Sequence, residues 1–154
     1  MNRAFVRESD EDPTALPERV VSPHPNFVTP HGLADIEARV RALETERQAA
    51  RAGNDAALRA RVERDLRYWS ARRASARLVG PATVTERVRF GMRVTLQLGS
   101  GAHQVFRLVG EDEADAAQGL LSWMAPLAQS LLGKQAGESV SYQGAEARIL
   151  SIEP

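Results

Sequence analysis

Residues 29–79 read TPHGLADIEARVRALETERQAARAGNDAALRARVERDLRYWSARRASARLV, and their periodicity decides the fold. Thr29 followed by Pro30 is an N-cap and first-turn pair: the threonine hydroxyl can accept from an early helical N–H, and proline needs no donor there. Leu33, Ile36, Val40 and Leu43 then recur at spacings of three and four, one apolar stripe of an amphipathic helix. The stripe fades to alanine after Arg47, and Gly53-Asn54-Asp55 supplies a stop, a turn and a new cap. A second stripe, Leu58, Val62, Leu66 and Trp69, continues weakly to Ala76. Two helices of about 20 residues, each roughly 30 Å long, with one narrow stripe apiece and a short joint, must pack antiparallel as a helical hairpin or short coiled coil.

After Gly80-Pro81 the period changes from helical to alternating. Val88 and Phe90, then Val94, Leu96 and Leu98, then Val105, Leu108 and Val109 read as strands, with turns at Gly91 and Gly99-Ser100-Gly101. Gly110 to Asp115 reads as a polar, solvated loop. Leu120 to Trp123 is a candidate strand, Pro126 to Leu132 a short helix, and Ser139 to Tyr142 and Ala147 to Ile152 a last pair of strands. The predicted fold class is therefore α+β, with an N-terminal antiparallel helical hairpin over residues 26–79 followed by an antiparallel sheet with one short helix over 80–154. Residues 1–25, with the acidic run Glu8 to Asp12 and Pro13, Pro17, Pro23 and Pro25, read as a flexible, acidic, proline-rich tail.

Composition excludes several function classes. The 154 residues contain no cysteine, so a disulfide framework or a thiolate zinc site is excluded, and His24, His31 and His103 lack metal-ligand spacing. No phosphate-binding glycine loop, dinucleotide fingerprint, zinc-protease helix or nucleophile elbow is present, which argues against a common nucleotide-dependent or hydrolytic enzyme. No apolar run approaches the roughly 20 residues of a membrane span, and Arg3, Arg7 and an acidic cluster stand where a signal segment would be apolar; a cytoplasmic protein is expected. Twenty basic residues balance twenty acidic ones. Segmented, that zero hides a basic middle: residues 26–79 carry eleven basic and seven acidic side chains, while both flanks are acidic. Arg59, Arg61, Arg64, Arg67, Arg72, Arg73 and Arg77 lie on the second helix against only Glu63 and Asp65. They read as a solvated, salt-bridged face or, more sharply, as a basic strip for RNA or an acidic groove. Trp69 belongs to the apolar stripe and reads as core.

The residues also resemble a known family. Val28-Thr-Pro-His-Gly32, Leu66-Arg-Tyr-Trp69, Val88-Arg-Phe-Gly91, the run FRLVGEDEAD from Phe106 to Asp115, and LSWMAPLAQSLLGK from Leu121 to Lys134 are similar to the Gre transcript-cleavage factors of bacterial RNA polymerase, GreA and GreB. The match covers almost everything from residue 26 onward. It implies a coiled coil inserted into the polymerase secondary channel and an FKBP-like C-terminal domain docked on the channel rim. It further implies two tip carboxylates that help hold a second Mg²⁺ in the polymerase active site, one ion activating water and the other stabilising the leaving oxygen.

Two departures shape the functional expectation. The acidic tip motif is missing and the hairpin is short, so Asp55 is a lone tip carboxylate and a weak catalytic candidate. In the rim-contact segment Met124, Ala125, Pro126 and Leu127 stand where an acidic residue and serine usually precede the proline, making the expected contact more apolar. Trp123 fits either an interface or the sheet core. The expected function is an RNA polymerase-binding elongation factor at the secondary channel without strong cleavage stimulation, itself no enzyme and with no cofactor or metal of its own. Arg59, Arg61 and Arg64 would face the channel or nascent RNA. An active cleavage factor using Asp55 and a shared Mg²⁺ is the alternative, and an FKBP-like protein-interaction module a further one. A monomer without membrane contact is expected.

Overall fold

The computed structural model describes residues 15–154, and the acidic run Glu8 to Asp12 lies outside them. Helix α1 spans Pro30–Ala52 and α2 spans Ala56–Ser75. Both starts are capped by the residues the sequence marks: Thr29 Oγ1 accepts from the Gly32 N–H at 3.0 Å and Asp55 Oδ1 from the Leu58 N–H at 2.9 Å. Near the base Arg39 lies over Trp69, whereas near the turn Glu46 and Arg51 meet Arg61 and Glu63, so the order reverses between the two helices and they are antiparallel. Ile36, Val40, Leu66 and Trp69 form the seam, with Val28 from the preceding segment. Each such buried aliphatic side chain contributes about 1.5–3 kcal/mol. Towards the turn the fully buried set thins to Ala50 and Val62.

The open end of the hairpin is closed by a feature with no periodic signal. Strands β1 (Phe27–Val28) and β2 (Arg77–Leu78) pair in parallel, and the Arg77 and Val79 N–H groups donate to the carbonyls of Asn26 and Val28 at 2.8 and 2.9 Å. Two residues per strand are too few to be read from alternation.

The second unit is a five-stranded sheet of β3 (Arg93–Gln97), β4 (His103–Val109), β5 (Leu120–Ser122), β6 (Ser139–Tyr142) and β7 (Ala145–Glu153), in the order β5-β4-β3-β7-β6. Three pairings are antiparallel, but β5 runs parallel to β4, with Leu121 opposite Leu108. The sheet is thus mixed and not wholly antiparallel, because residues 110–119 carry the chain back before β5 begins. A register shift between Thr95 and Leu96 skips Leu150, so that Ile149 and Ile152, of opposite parity, both reach the core. Helix α3 (Pro126–Leu131) closes the core with Ala128 and Leu131.

Val88 to Phe90 does not form the expected strand. Val88 instead exchanges single hydrogen bonds with Lys134 and Gly133 beyond α3, and its side chain is buried. Its alternation reflects burial without a ladder.

Candidate functional site

The hairpin tip is small and self-contained. Gly53 ends α1, Asp55 caps α2, and Arg59 Nη1 donates to the Gly53 carbonyl at 2.8 Å. Arg61 lies 3.6 Å from Glu46 and Arg64 is 3.0 Å from Asp65. All three arginines singled out in the sequence therefore have partners within the hairpin. Asp55 is exposed, and only its Oδ1 is engaged by the cap. Among the described residues no group of three or more His, Asp or Glu side chains is placed to hold a metal ion.

The segment Met124–Leu127 sits at the opposite end. Trp123 packs edge-on against Phe27 with ring centroids 5.1 Å apart, and Phe90 completes the group at 6.0 Å from Phe27. Phe27 lies three residues before the start of α1, so this segment flanks the hairpin base, and the length of α1, roughly 35 Å, separates it from the tip. Ala125 and Leu127 pack on the sheet core, Met124 is half-buried, and Pro126 is exposed. The accessible part of the segment is Met124 with Pro126. Trp123 serves the joint between hairpin and sheet, a third place beside the two its sequence position suggests.

The joint itself holds the densest set of partly buried polar contacts among the described residues, and sequence reading misplaces both of its halves. The loop Gly110–Asp115 is not a solvated turn: three successive carboxylates grip the N-terminal half. Glu111 accepts from Ser22 Oγ at 3.0 Å, Asp112 accepts from Arg72 Nε at 2.6 Å and from the Tyr68 hydroxyl at 3.0 Å, and Glu113 accepts from Thr29 Oγ1 at 2.6 Å. Arg72, which the sequence groups with the solvated arginine face, is 1% exposed. Its Nη2 also donates to Asn26 Oδ1 at 2.8 Å, and Asn26 Nδ2 in turn donates to the Arg72 carbonyl. A buried guanidinium requires this degree of satisfaction, since desolvating it costs several kcal/mol. Burial first, and then the Asp112 charge, raises the Tyr68 phenol above its ordinary value of 10.0.

Close backbone approach at the joint selects glycine twice. A Cβ on Gly110 would lie 2.5 Å from the Phe27 carbonyl oxygen, and one on Gly32 would lie 2.6 Å from Glu113 Oε2. The only signal that could have found this joint is Gly32 inside the first turn of a helix, where glycine costs about 1 kcal/mol against alanine.

The C-terminal region from the last turn of α2 onward, residues 74–154, matches the family model described as transcription elongation factor, GreA/GreB, C-terminal, and so takes in more than half of the chain. The chain belongs to the GreA/GreB family. Among curated relatives, the GreB elongation factor of Neisseria meningitidis (serogroup A) is 37% identical over 98 residues, 60% of each chain. The GreA factor of Nitratidesulfovibrio vulgaris (Miyazaki F) is 33% identical over 120 residues, 75% of each chain. Among solved structures, the GreA/GreB elongation factor of Nitrosomonas europaea aligns with a TM-score of 0.42 at 19% identity, covering 84% of this chain and 99% of that one. The chain thus spans 60% of the length of the Neisseria GreB factor. Within this GreA/GreB chain, the matched region contains the acidic loop, the Met124–Leu127 segment and the whole sheet, whereas the hairpin tip lies outside it.

Proposed function

We propose that this protein is a cytoplasmic, monomeric, Gre-type elongation factor that binds bacterial RNA polymerase, with the hairpin entering the secondary channel and Met124 and Pro126 meeting the rim, and that it does not strongly stimulate transcript cleavage. The observation that supports this reading is the state of Asp55. The two-metal scheme implied by the family resemblance calls for two tip carboxylates, and here a single one is committed through Oδ1 to the Leu58 N–H. Arg59 tightens the same turn through the Gly53 carbonyl, which leaves Asp55 little freedom to turn towards a metal. Arg59, Arg61 and Arg64 present the tip's positive charge to the channel or the nascent RNA; the partners of Arg59 and Arg61 are exposed and displaceable, while Asp65 beside Arg64 is largely covered.

The free Oδ2 of Asp55 keeps an active cleavage factor as the second reading. Incubating stalled, backtracked elongation complexes with the full chain separates the two. The proposal expects stable association with core polymerase and no acceleration of RNA shortening. Rapid shortening that disappears in Asp55→Asn would establish the second reading, because asparagine caps a helix as well as aspartate and removes only the charge. Failure to associate with core polymerase overturns both.

A further inference from the structure

Residues 15–25 contain no helix or strand, and residues 15–21 are exposed, yet side chains tether the segment along α2. Glu18 accepts from Arg67 Nε at 3.2 Å and from Nη2 closer still. The next residue, Arg19, lays its guanidinium 3.9 Å from the centroid of the Tyr68 ring, 5.5 Å from that of Trp69, and 3.5 Å from Asp65 Oδ1. Ser22 then reaches Glu111 in the acidic loop. Val20, between these anchors, is 89% exposed, so apolar burial does not hold the strap. Surface ion pairs of this kind contribute about 0.2–1 kcal/mol each, and the strap is therefore displaceable.

The two anchors on α2 present the two chemistries by which a nucleotide is held. A guanidinium fork that grips a carboxylate through two N–H groups suits a phosphate equally well. A planar, delocalised group lying on a tyrosine face stands where a base would stack. Arg64, itself paired with Asp65, adds a second cation, and the Glu18 carboxyl is held below its ordinary value chiefly by its hydrogen bond to Arg67, with the charges of Arg67 and Arg64 behind it. We propose that Arg64, Arg67 and the face of Tyr68 form a subsite for one phosphate and one base of single-stranded RNA, which Glu18 and Arg19 occupy in the free protein as an autoinhibitory mimic. This rests on the reading that the arginine face of α2 meets the transcript, and it names both the ligand and the internal competitor on that face.

The test uses the full chain and a fluorescent oligouridine of about ten nucleotides, followed by anisotropy across a salt series. The double substitution Glu18→Gln with Arg19→Ala leaves net charge unchanged and alters two exposed side chains, so neither misfolding nor bulk electrostatics intervenes. It should tighten binding about two- to tenfold. Adding Arg67→Gln should erase the gain and lower the salt slope by about one. Unchanged affinity in the double variant, or a gain that survives Arg67→Gln, overturns the proposal. Core-polymerase binding is measured in parallel: tighter oligouridine binding without polymerase association leaves the subsite standing and removes the polymerase reading. A gain confined to polymerase association shows that the strap competes with protein and overturns the RNA assignment.

Discussion

The two ends of the hairpin use the same residue types and hold them in opposite ways. At the base, Arg72 is enclosed by Asp112 and Asn26, the seam contains Ile36, Leu66 and Trp69, and two short strands lock the chain ends. At the tip, Arg51, Arg59 and Arg61 lie at or near the surface, the seam has dwindled to Ala50 and Val62, and a single side-chain cap begins α2. An arginine at the base is a structural bolt, while one at the tip is a surface charge free to exchange partners. The arm is rigidly rooted and easily frayed at its end, since local opening costs least where buried apolar contacts are few.

The largest effect that would test this contrast is at Arg72. Arg72→Met leaves Asp112 short of its charge partner in a largely enclosed site and should cost about 3–5 kcal/mol in denaturant unfolding. Arg61→Ala should cost under about 1 kcal/mol, so similar losses for the two would erase the distinction between base and tip. Next comes Gly110→Ala, whose Cβ meets backbone and cannot be relieved by a rotamer change. It should cost about 1–3 kcal/mol and raise amide exchange at Phe27 and Val28 more than at the tip. Asp55→Ala should cost about 1 kcal/mol, seen as faster amide exchange in the first turn of α2, with Asp55→Asn close to the parent.

The smallest effect concerns pH. The raised Tyr68 phenol binds its proton more tightly in the folded state, so its contribution is complete below pH 10 and is lost as pH rises through the folded value. Spectrophotometric titration should show one of the two tyrosines ionising late, and Tyr68→Phe should remove that late step. If the two tyrosines of the parent ionise together, or the late step survives in Tyr68→Phe, Tyr68 is not enclosed at the joint.

Legibility in the sequence follows the same division. The caps at Thr29 and Asp55, the turn at Gly53, strand β6 and helix α3 are local events, and side-chain spacing within a few residues is enough to place them. The short pairing of β1 with β2, the parallel β5 and the role of the acidic loop join residues more than a helical or strand repeat apart in the chain. Periodicity carries no record of such contacts. Val88 shows the converse error, because burial alone produced an alternation that resembles a strand.

For the candidate site, the tip could be read directly, since Asp55, Arg59 and the turn are neighbours in the chain. Half of the Met124–Leu127 segment could not, because Ala125 and Leu127 are apolar in either setting and only the position of α3 turns them inward. The strap was hidden for a similar reason: nothing about Glu18 or Arg19 in an acidic, proline-containing stretch names Arg67 and Tyr68 as partners.

By itself, then, the sequence determined a capped helical hairpin followed by a small sheet with one helix, along with a hairpin turn that holds a single carboxylate, Asp55. Hydrophobic period and cap chemistry are short-range and survive in the linear order of residues. Only the tertiary structure decided which arginine is buried, which acidic loop is a clasp and which charges the N-terminal segment covers. Those outcomes depend on desolvation and charge pairing, and both are set by groups that meet only when the hairpin folds back onto the sheet.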